Sequence, residues 1–204
     1  MERKLYTLYS YPTPNSQKVK IMLEKTLAPY NEKQVDITKG EQFSDTFMKI
    51  SPNRKIPVLF DEEKNTYLFE SNVILLYLAE KHERLNPLTS DNKYKILQWL
   101  TFQSSHVGPL LGQYGHFHVY ASENIPYAKN RYKKEAFRLF DVINLQLSKN
   151  KYIAGSNLSI ADIAIWPWLR CFEKHYNSNF HTENYSALIH WFENLAAREP
   201  FKSI

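Results

Sequence analysis

Residues 51–81 constrain the fold of this chain more than any other stretch of its sequence. They read SPNRKIPVLFDEEKNTYLFESNVILLYLAEK and predict two short strands, at 58–60 and 67–69, joined by a polar turn at 62–65. Apolar side chains then recur at helical spacing, namely Val73, Ile74, Tyr77 and Leu78. The stretch therefore predicts a β-hairpin that leads directly into a helix.

The most informative residues of this stretch lie where its predicted elements meet. Pro57 stands at the first position of a strand, where it removes no ladder donor, and the Ile56–Pro57 bond is a candidate for a cis peptide. Glu70 and Ser71 stand at the start of the helix, where unpaired N–H groups and the helix dipole favour a bound carboxylate. This corner of the fold suits a small zwitterionic peptide.

The residues that precede this stretch begin an α/β pattern. Residues 4–9 predict a first strand, and Thr13 followed by Pro14 is typical of a helix cap and a first helical residue. Residues 30–36 predict a second strand, which the strand–helix–strand order places parallel to the first. The apolar face predicted for the intervening helix comprises Val19, Met22, Leu23 and Leu27.

A further short helix is predicted over residues 42–50, where Phe43 and Phe47 are four positions apart. With the hairpin and its helix added, the order becomes βαβαββα, which predicts a thioredoxin-like α/β domain over residues 1–83. Residues 84–92 contain Pro, Ser, Thr, Asn and Asp without periodicity, and we interpret them as a linker.

The rest of the chain, residues 93–204, predicts an all-α domain. The first long helix is expected to kink or stop near Pro109. Ser159 and Asp162 have the spacing of a capping box, which marks a helix start. The predicted helices span 91–112, 127–148, 159–172 and 186–197.

The net charge of +5 does not predict a nucleic-acid partner, because the basic residues are scattered and the densest cluster, 131–134, lies on a predicted helix. No segment has the length of a membrane span or a signal core. Cys171 is the single cysteine, which excludes an internal disulfide, and no ligand spacing predicts a metal site. We expect a cytoplasmic protein without nucleic-acid, membrane or metal partners.

The start of the first helix is a candidate for thiol chemistry. A free thiol has a pKa of about 8.5, which helix N-termini and hydrogen bonds lower. A drop of roughly two units requires about 3 kcal/mol, and the helix end with Thr13 or Asn15 can supply much of it. The alternative is that Thr-Pro-Asn is only a helix cap. Its position beside the Pro57 corner and Glu70 favours the functional interpretation.

Several strings in this sequence resemble the glutathione transferase family. SPNRKIPVL followed by FES resembles its glutathione-binding half, and YPTPN at 11–15 resembles the nu-class members, which are glutathione-dependent disulfide-bond oxidoreductases. Ser16, where glycine often follows PTPN, and residues 114–116 depart from that pattern. The agreement continues across nearly the whole chain in KGEQF at 39–43, LQW at 97–99, GPLLGQ at 108–113, IPYAKNRY at 125–132 and ADIAIWPW at 161–168.

The resemblance implies a glutathione site, residue by residue. Thr13 and Asn15 would act on the sulfur, and Ile56, next to Pro57, would pair its backbone with the cysteinyl part. The residues that hold the two ends of glutathione would be Gln42 and Lys55 at the glycine carboxylate, Asn53 through a hydrogen bond, Glu70 and Ser71 at the γ-glutamyl group, and Arg131 of the partner subunit in a homodimer.

The resemblance also implies an activity, glutathione-dependent reduction of disulfides. Cys171 is interpreted as a buried small hydrophobe, so two glutathione molecules would supply both sulfurs. The alternatives are conjugation of glutathione to electrophiles, reduction of peroxides, or a non-catalytic glutathione-binding module of the kind found in a fungal nitrogen regulator. The chain ends at Ile204, directly after its last predicted helix, and this favours an enzyme over a regulator with an added tail.

Overall fold

A computed structural model describes residues 5–89 and 91–204 of the chain. The chain folds into two compact units, of which the first ends at Asn86 and the second runs from Pro87 to Ser203. The boundary between the units falls within residues 84–92, which the sequence predicts as a linker. Each unit has its own hydrophobic core and is described separately.

The first unit is a four-stranded mixed sheet with helices. Its strands follow the order β2-β1-β3-β4, with β2 parallel to β1 and β3 antiparallel to both β1 and β4. This confirms the predicted βαβαββα order, the parallel pair and the hairpin. The elements are β1 (Tyr6–Ser10), α1 (Pro14–Thr26), β2 (Tyr30–Gln34), α2 (Asp45–Met48), β3 (Val58–Asp61), β4 (Thr66–Phe69) and α3 (Ser71–Lys81).

The core of this unit lies between the central strands and the two longer helices. Leu8 of β1 pairs with Leu59 of β3, and both side chains are fully buried. Helices α1 and α3 pack against each other. Their buried apolar residues include Val19, Met22, Leu23, Ile74, Leu75 and Leu78.

Two predicted core positions of the first unit are wrong. Leu27 does not belong to the apolar face of α1, because it forms the left-handed C-cap at φ 55° and its side chain is 82% exposed. Phe43 lies in a short 3₁₀ turn (Glu41–Phe43) ahead of α2 and is also exposed. The predicted helix over 42–50 is thus split in two, and Phe47 is buried in a second cluster with Val35 and Val58.

The second unit is entirely helical. Its main helices are α4 (Lys93–Phe102), α5 (Gly108–Gly115), α6 (Pro126–Leu147), α7 (Ile160–Lys174) and α8 (Ser186–Ala196). Helix α7 is almost completely buried, and Ser159 and Asp162 form the predicted capping box at its start. Across residues 5–89 and 91–204, no helix combines the length and apolar composition that crossing a membrane requires.

The predicted helix over 91–112 does not stop near Pro109. The backbone stays helical to Tyr120 through two π-helical segments, Gln103–Val107 and His116–Tyr120. Pro109 is the second residue of α5, which directly follows the first π-helical segment, and as a proline it has no N–H group to donate to the turn before it. The helix therefore does not stop at the proline, and it contains a wide π-helical turn on either side of α5.

Candidate functional site

The sheet register brings three predicted parts of the site to one edge. Tyr9 of β1 pairs with Val58 of β3, and Val58 pairs with Phe69 of β4. The residues that come next therefore leave the sheet at the same end: the turn after β1 that leads to Thr13, Pro57 before β3, and Glu70 after β4. The sequence predicted these parts separately, and antiparallel pairing of β3 with its neighbours places their backbones side by side.

Thr13 is the N-cap of α1. Its backbone is extended, at φ −131° and ψ 156°, and its hydroxyl accepts a hydrogen bond from the Ser16 N–H at 3.4 Å while donating to Ser16 Oγ at 3.3 Å. Pro14 and the half-buried Asn15 follow in the first turn. Thr13 therefore caps α1 as predicted, and the N-terminal dipole of this helix favours an anion placed beside it.

The loop before β3 is held by a single buried serine. Ser51 Oγ donates to the carbonyl oxygen of Lys55 at 2.8 Å and accepts from the Lys55 N–H at 3.2 Å. The side chains of Asn53 and Lys55 remain exposed. The Ile56–Pro57 peptide bond is cis, as predicted, and β3 begins at the next residue.

Glu70 precedes α3 in an unusual backbone conformation. Its φ is 68° and its ψ 106°, a region that residues other than glycine rarely adopt. The carboxylate is exposed and makes no capping bond to its own helix. A non-glycine residue kept in such a conformation at a helix start is a reason to suspect a binding role. Ser71, the first residue of α3, is buried beside it.

Lys18 of α1 is a component of this region that sequence reasoning missed. Its side chain is 1% exposed, and Nζ donates to Ser71 Oγ and to Asn72 Oδ1, both at 3.2 Å. Burial lowers the pKa of Lys18 well below its ordinary value of 10.5, and the Glu70 carboxylate opposes that shift. The sequence feature that could have revealed this burial is the position of Lys18, which lies three residues before Ile21 and four before Met22 on the apolar face of a predicted helix.

Gln42 is placed differently from a simple carboxylate ligand. Its Nε2 donates to the Ile37 carbonyl at 3.4 Å, while its buried Oε1 has no hydrogen-bond partner in the part of the chain that the structure describes. A free acceptor of this kind matches an N–H donor better than a carboxylate. The predicted contact between Gln42 and a glycine carboxylate stays a prediction.

Two predicted residues lie in the second unit. Arg131 is exposed on α6, and the structure of one chain does not test its role in a partner's site. Cys171 of α7 is buried, as expected, and burial raises the pKa of its thiol against the effect of a hydrogen bond with Tyr176. A buried thiol with a raised pKa is a poor nucleophile.

No candidate metal site accompanies these groups in the described part of the chain. Within the described ranges, with their gaps at residues 1–4 and 90, no cluster of three or more His, Cys, Asp or Glu side chains is arranged to hold an ion. The arrangement instead offers helix N-termini, an exposed carboxylate and a buried ammonium group at one sheet edge. These are groups that bind a small molecule carrying both charges.

Known proteins are similar to this chain in sequence and fold. Residues 5–80 match the model for the glutathione S-transferase N-terminal domain, and residues 109–199 match the model for the C-terminal domain. The disulfide-bond oxidoreductase YfcG of Escherichia coli K12 is 40% identical over 196 residues, which cover 94% of this chain and 90% of that protein.

Solved structures agree over nearly the full chain. A glutathione transferase family member from Pseudomonas fluorescens, crystallised with two glutathione bound, gives a TM-score of 0.92 at 35% identity and covers 98% of this chain and 92% of its own. A glutathione transferase from Pseudomonas putida, with one glutathione disulfide bound per subunit, gives 0.92 at 34% identity, covering 99% and 91%. On sequence, domain composition and fold, the chain belongs to the glutathione S-transferase family.

Proposed function

We propose that this protein is a glutathione-dependent disulfide-bond oxidoreductase in which glutathione supplies every reacting thiol. The observation that carries the proposal is the paired row of Tyr9, Val58 and Phe69, which brings the start of α1, the Pro57 loop and Glu70 to one sheet edge. The name of the similar Escherichia coli protein and the two glutathione molecules in the Pseudomonas fluorescens structure support it.

The reaction consists of two thiol–disulfide exchanges. A glutathione thiolate attacks one sulfur of the substrate disulfide, which forms a mixed disulfide and releases the first substrate thiolate. A second glutathione then attacks the glutathione sulfur of the mixed disulfide, which releases the second substrate thiolate and forms glutathione disulfide. Two electrons pass from two glutathione molecules to the substrate, and the leaving thiolates take up the protons. Cys171 has no part in either step.

The start of α1 would lower the pKa of the bound thiol. Thr13 and Asn15 lie at a helix N-terminus, where N–H dipoles and hydroxyl or amide donors favour the thiolate. Ile56, before the cis peptide to Pro57, would pair its backbone with the cysteinyl part, and Glu70 and Ser71 would hold the γ-glutamyl end.

The other end of glutathione and the assembly follow from the family resemblance. Lys55 would pair with the glycine carboxylate and Asn53 would add a hydrogen bond, while Gln42 would lie in the same region and accept an N–H of the ligand with its Oε1. Arg131 of the partner subunit would complete the pocket of a homodimer. A cytoplasmic location fits a reductant that is maintained as a thiol in that compartment.

The test is reduction of 2-hydroxyethyl disulfide by glutathione, followed by NADPH oxidation with glutathione reductase. Asn15→Ala and Thr13→Val each remove one donor to a charged sulfur, so each should lower kcat/KM roughly tenfold or more. Thr13→Ser keeps the cap and the hydroxyl and should stay within about threefold of the parent. Cys171→Ser should keep full activity.

Three results would contradict the proposal. Loss of activity in Cys171→Ser, with the fold and glutathione binding intact, would assign the chemistry to the protein's own thiol. Turnover of 1-chloro-2,4-dinitrobenzene far above that of the disulfide would favour the conjugating alternative. Tight glutathione binding without turnover of either substrate would favour a binding module.

A further inference from the structure

Lys18 is buried where an apolar residue would be expected. It lies on the face of α1 that packs against α3, with Val19 and Met22 nearby in sequence and fully buried. Burial of an ammonium group is costly unless the charge is compensated by hydrogen bonds and by a nearby charge. Lys18 has both, through Ser71 and Asn72 and through the Glu70 carboxylate.

The direction of the Lys18–Ser71 hydrogen bond decides what the serine can do. An ammonium group donates only, so Ser71 Oγ must be the acceptor in this contact. The hydroxyl proton of Ser71 then cannot turn towards Lys18. No acceptor for that proton is found among the described residues, which leaves it available to a ligand.

We propose that Lys18 is a positioning residue of the γ-glutamyl subsite: by donating to Ser71 Oγ, it orients the Ser71 hydroxyl to donate to the α-carboxylate of glutathione. This inference rests on the proposed function and adds to it a buried residue that does not touch the ligand. The ammonium charge and the N-terminal dipole of α3 have the same sign, so both favour the carboxylate. The exposed Glu70 carboxylate remains free to pair with the α-ammonium group.

The proposal predicts that substitution of Lys18 weakens only the binding contribution of the α-carboxylate of glutathione. Two glutathione analogues separate the groups: 4-aminobutyryl-cysteinylglycine lacks the α-carboxylate, and glutaryl-cysteinylglycine lacks the α-ammonium. Lys18→Met should weaken binding of glutathione and of the glutaryl analogue by roughly tenfold to hundredfold, because a hydrogen bond to a charged group is lost or misdirected. It should change binding of the 4-aminobutyryl analogue less than about threefold.

The experiment is isothermal titration calorimetry of the full chain with the three peptides. Lys20→Met is the matched control, since it removes a lysine from the same helix, and it should leave all three affinities unchanged; Lys20 pairs with Glu32 instead. Lys18→Gln retains a donor and should recover part of the loss. In steady state, Lys18→Met should raise the KM for glutathione while kcat stays within about threefold.

The outcomes separate the inference from the proposed function. If Ser71→Ala and Glu70→Gln leave glutathione affinity unchanged, the proposed site itself is wrong. If those variants weaken binding but Lys18→Met weakens all three peptides equally, or none of them, Lys18 is only structural and the inference is overturned. If Lys18→Met does not fold, the same comparison is made with Lys18→Gln, whose loss must also be confined to peptides that carry the α-carboxylate.

Discussion

The buried Asp162 carboxylate should contribute strongly to the stability of the second unit. It is fully buried at the start of α7 and accepts four hydrogen bonds. Its Oδ1 accepts from the Ile153 N–H and from Trp191 Nε1, and its Oδ2 accepts from the N–H and the hydroxyl of Ser159, all at 2.9 Å. Burial raises the pKa of Asp162, and these four donors oppose the shift.

The expected loss of unfolding free energy follows from the number of hydrogen-bond donors that a substitution of Asp162 leaves unpaired. Asp162→Ala removes the acceptor of three buried N–H groups, from Ile153, Ser159 and Trp191, and each such loss costs about 1–2 kcal/mol. The alanine variant no longer buries a charge, which offsets part of that sum. We expect a net loss of about 3–5 kcal/mol. Asp162→Asn keeps one acceptor oxygen but turns an NH₂ group towards existing donors, so it should cost about 2–3 kcal/mol.

The assay is urea unfolding followed by circular dichroism at 222 nm, with coincidence of a second probe as the check on two-state behaviour. Trp191→Phe is the control, because it removes one donor and leaves the carboxylate three, and it should cost about 1–2 kcal/mol. An Asp162→Ala variant that loses no more than Trp191→Phe would refute the reasoning, since the carboxylate would then not be the shared acceptor that the geometry indicates.

Two further predictions concern packing and pH. Gly115→Ala should lower the free energy of unfolding by about 1–3 kcal/mol, because the added Cβ would overlap the buried Tyr176 ring. Gly112→Ala in the same helix meets ordinary contacts only and should be neutral or slightly stabilising in the same urea assay. The His82 ring is hydrogen-bonded to the Tyr6 hydroxyl at 2.9 Å. Burial lowers the pKa of His82 below its ordinary value of 6.5, and the positive charge of Lys81 adds to this shift. The unfolded chain therefore binds more protons than the folded chain near pH 6.5, so stability should fall as the pH drops below about 6.5. His82→Gln should reduce this fall in urea midpoints measured from pH 5 to 8. A pH profile that is the same in the variant and the parent would contradict the role of His82.

Local patterns predicted the first unit well because its elements are short and clearly bounded. The cap at Thr13, the cis peptide before Pro57 and the helix start after Glu70 each depend on residues next to one another in the chain. Such signals survive folding because tertiary packing seldom has to override them. To predict that these residues meet at one end of the sheet, the strand register is also required, and a short strand does not specify its register by itself.

The errors lie where a single local rule was used alone, periodicity for Leu27 and the helix-breaking tendency of proline for Pro109. Leu27 continues the apolar spacing of α1, but the helix has already ended there in a left-handed cap that exposes the side chain. The helix predicted over 91–112 is expected to kink or stop near Pro109, yet two π-helical segments carry it to Tyr120. A π segment adds a residue to a turn and shifts the apolar phase, so a search for a period of 3.6 cannot follow the helix across it.

Lys18 shows most clearly why a site can be only partly read from sequence. Ser71, its partner, lies 53 residues further along the chain, and only the packing of α1 on α3 brings the two together. The fold alone gives no reason for a lysine at this position, since well-packed apolar residues often replace buried charged groups without loss of stability. Under the proposed function, a buried cation beside a helix start and an exposed carboxylate is explained by the ligand that those groups would bind. Its position in α1 therefore joins the helix that would activate the thiol to the helix that would bind the γ-glutamyl group, within one packed unit.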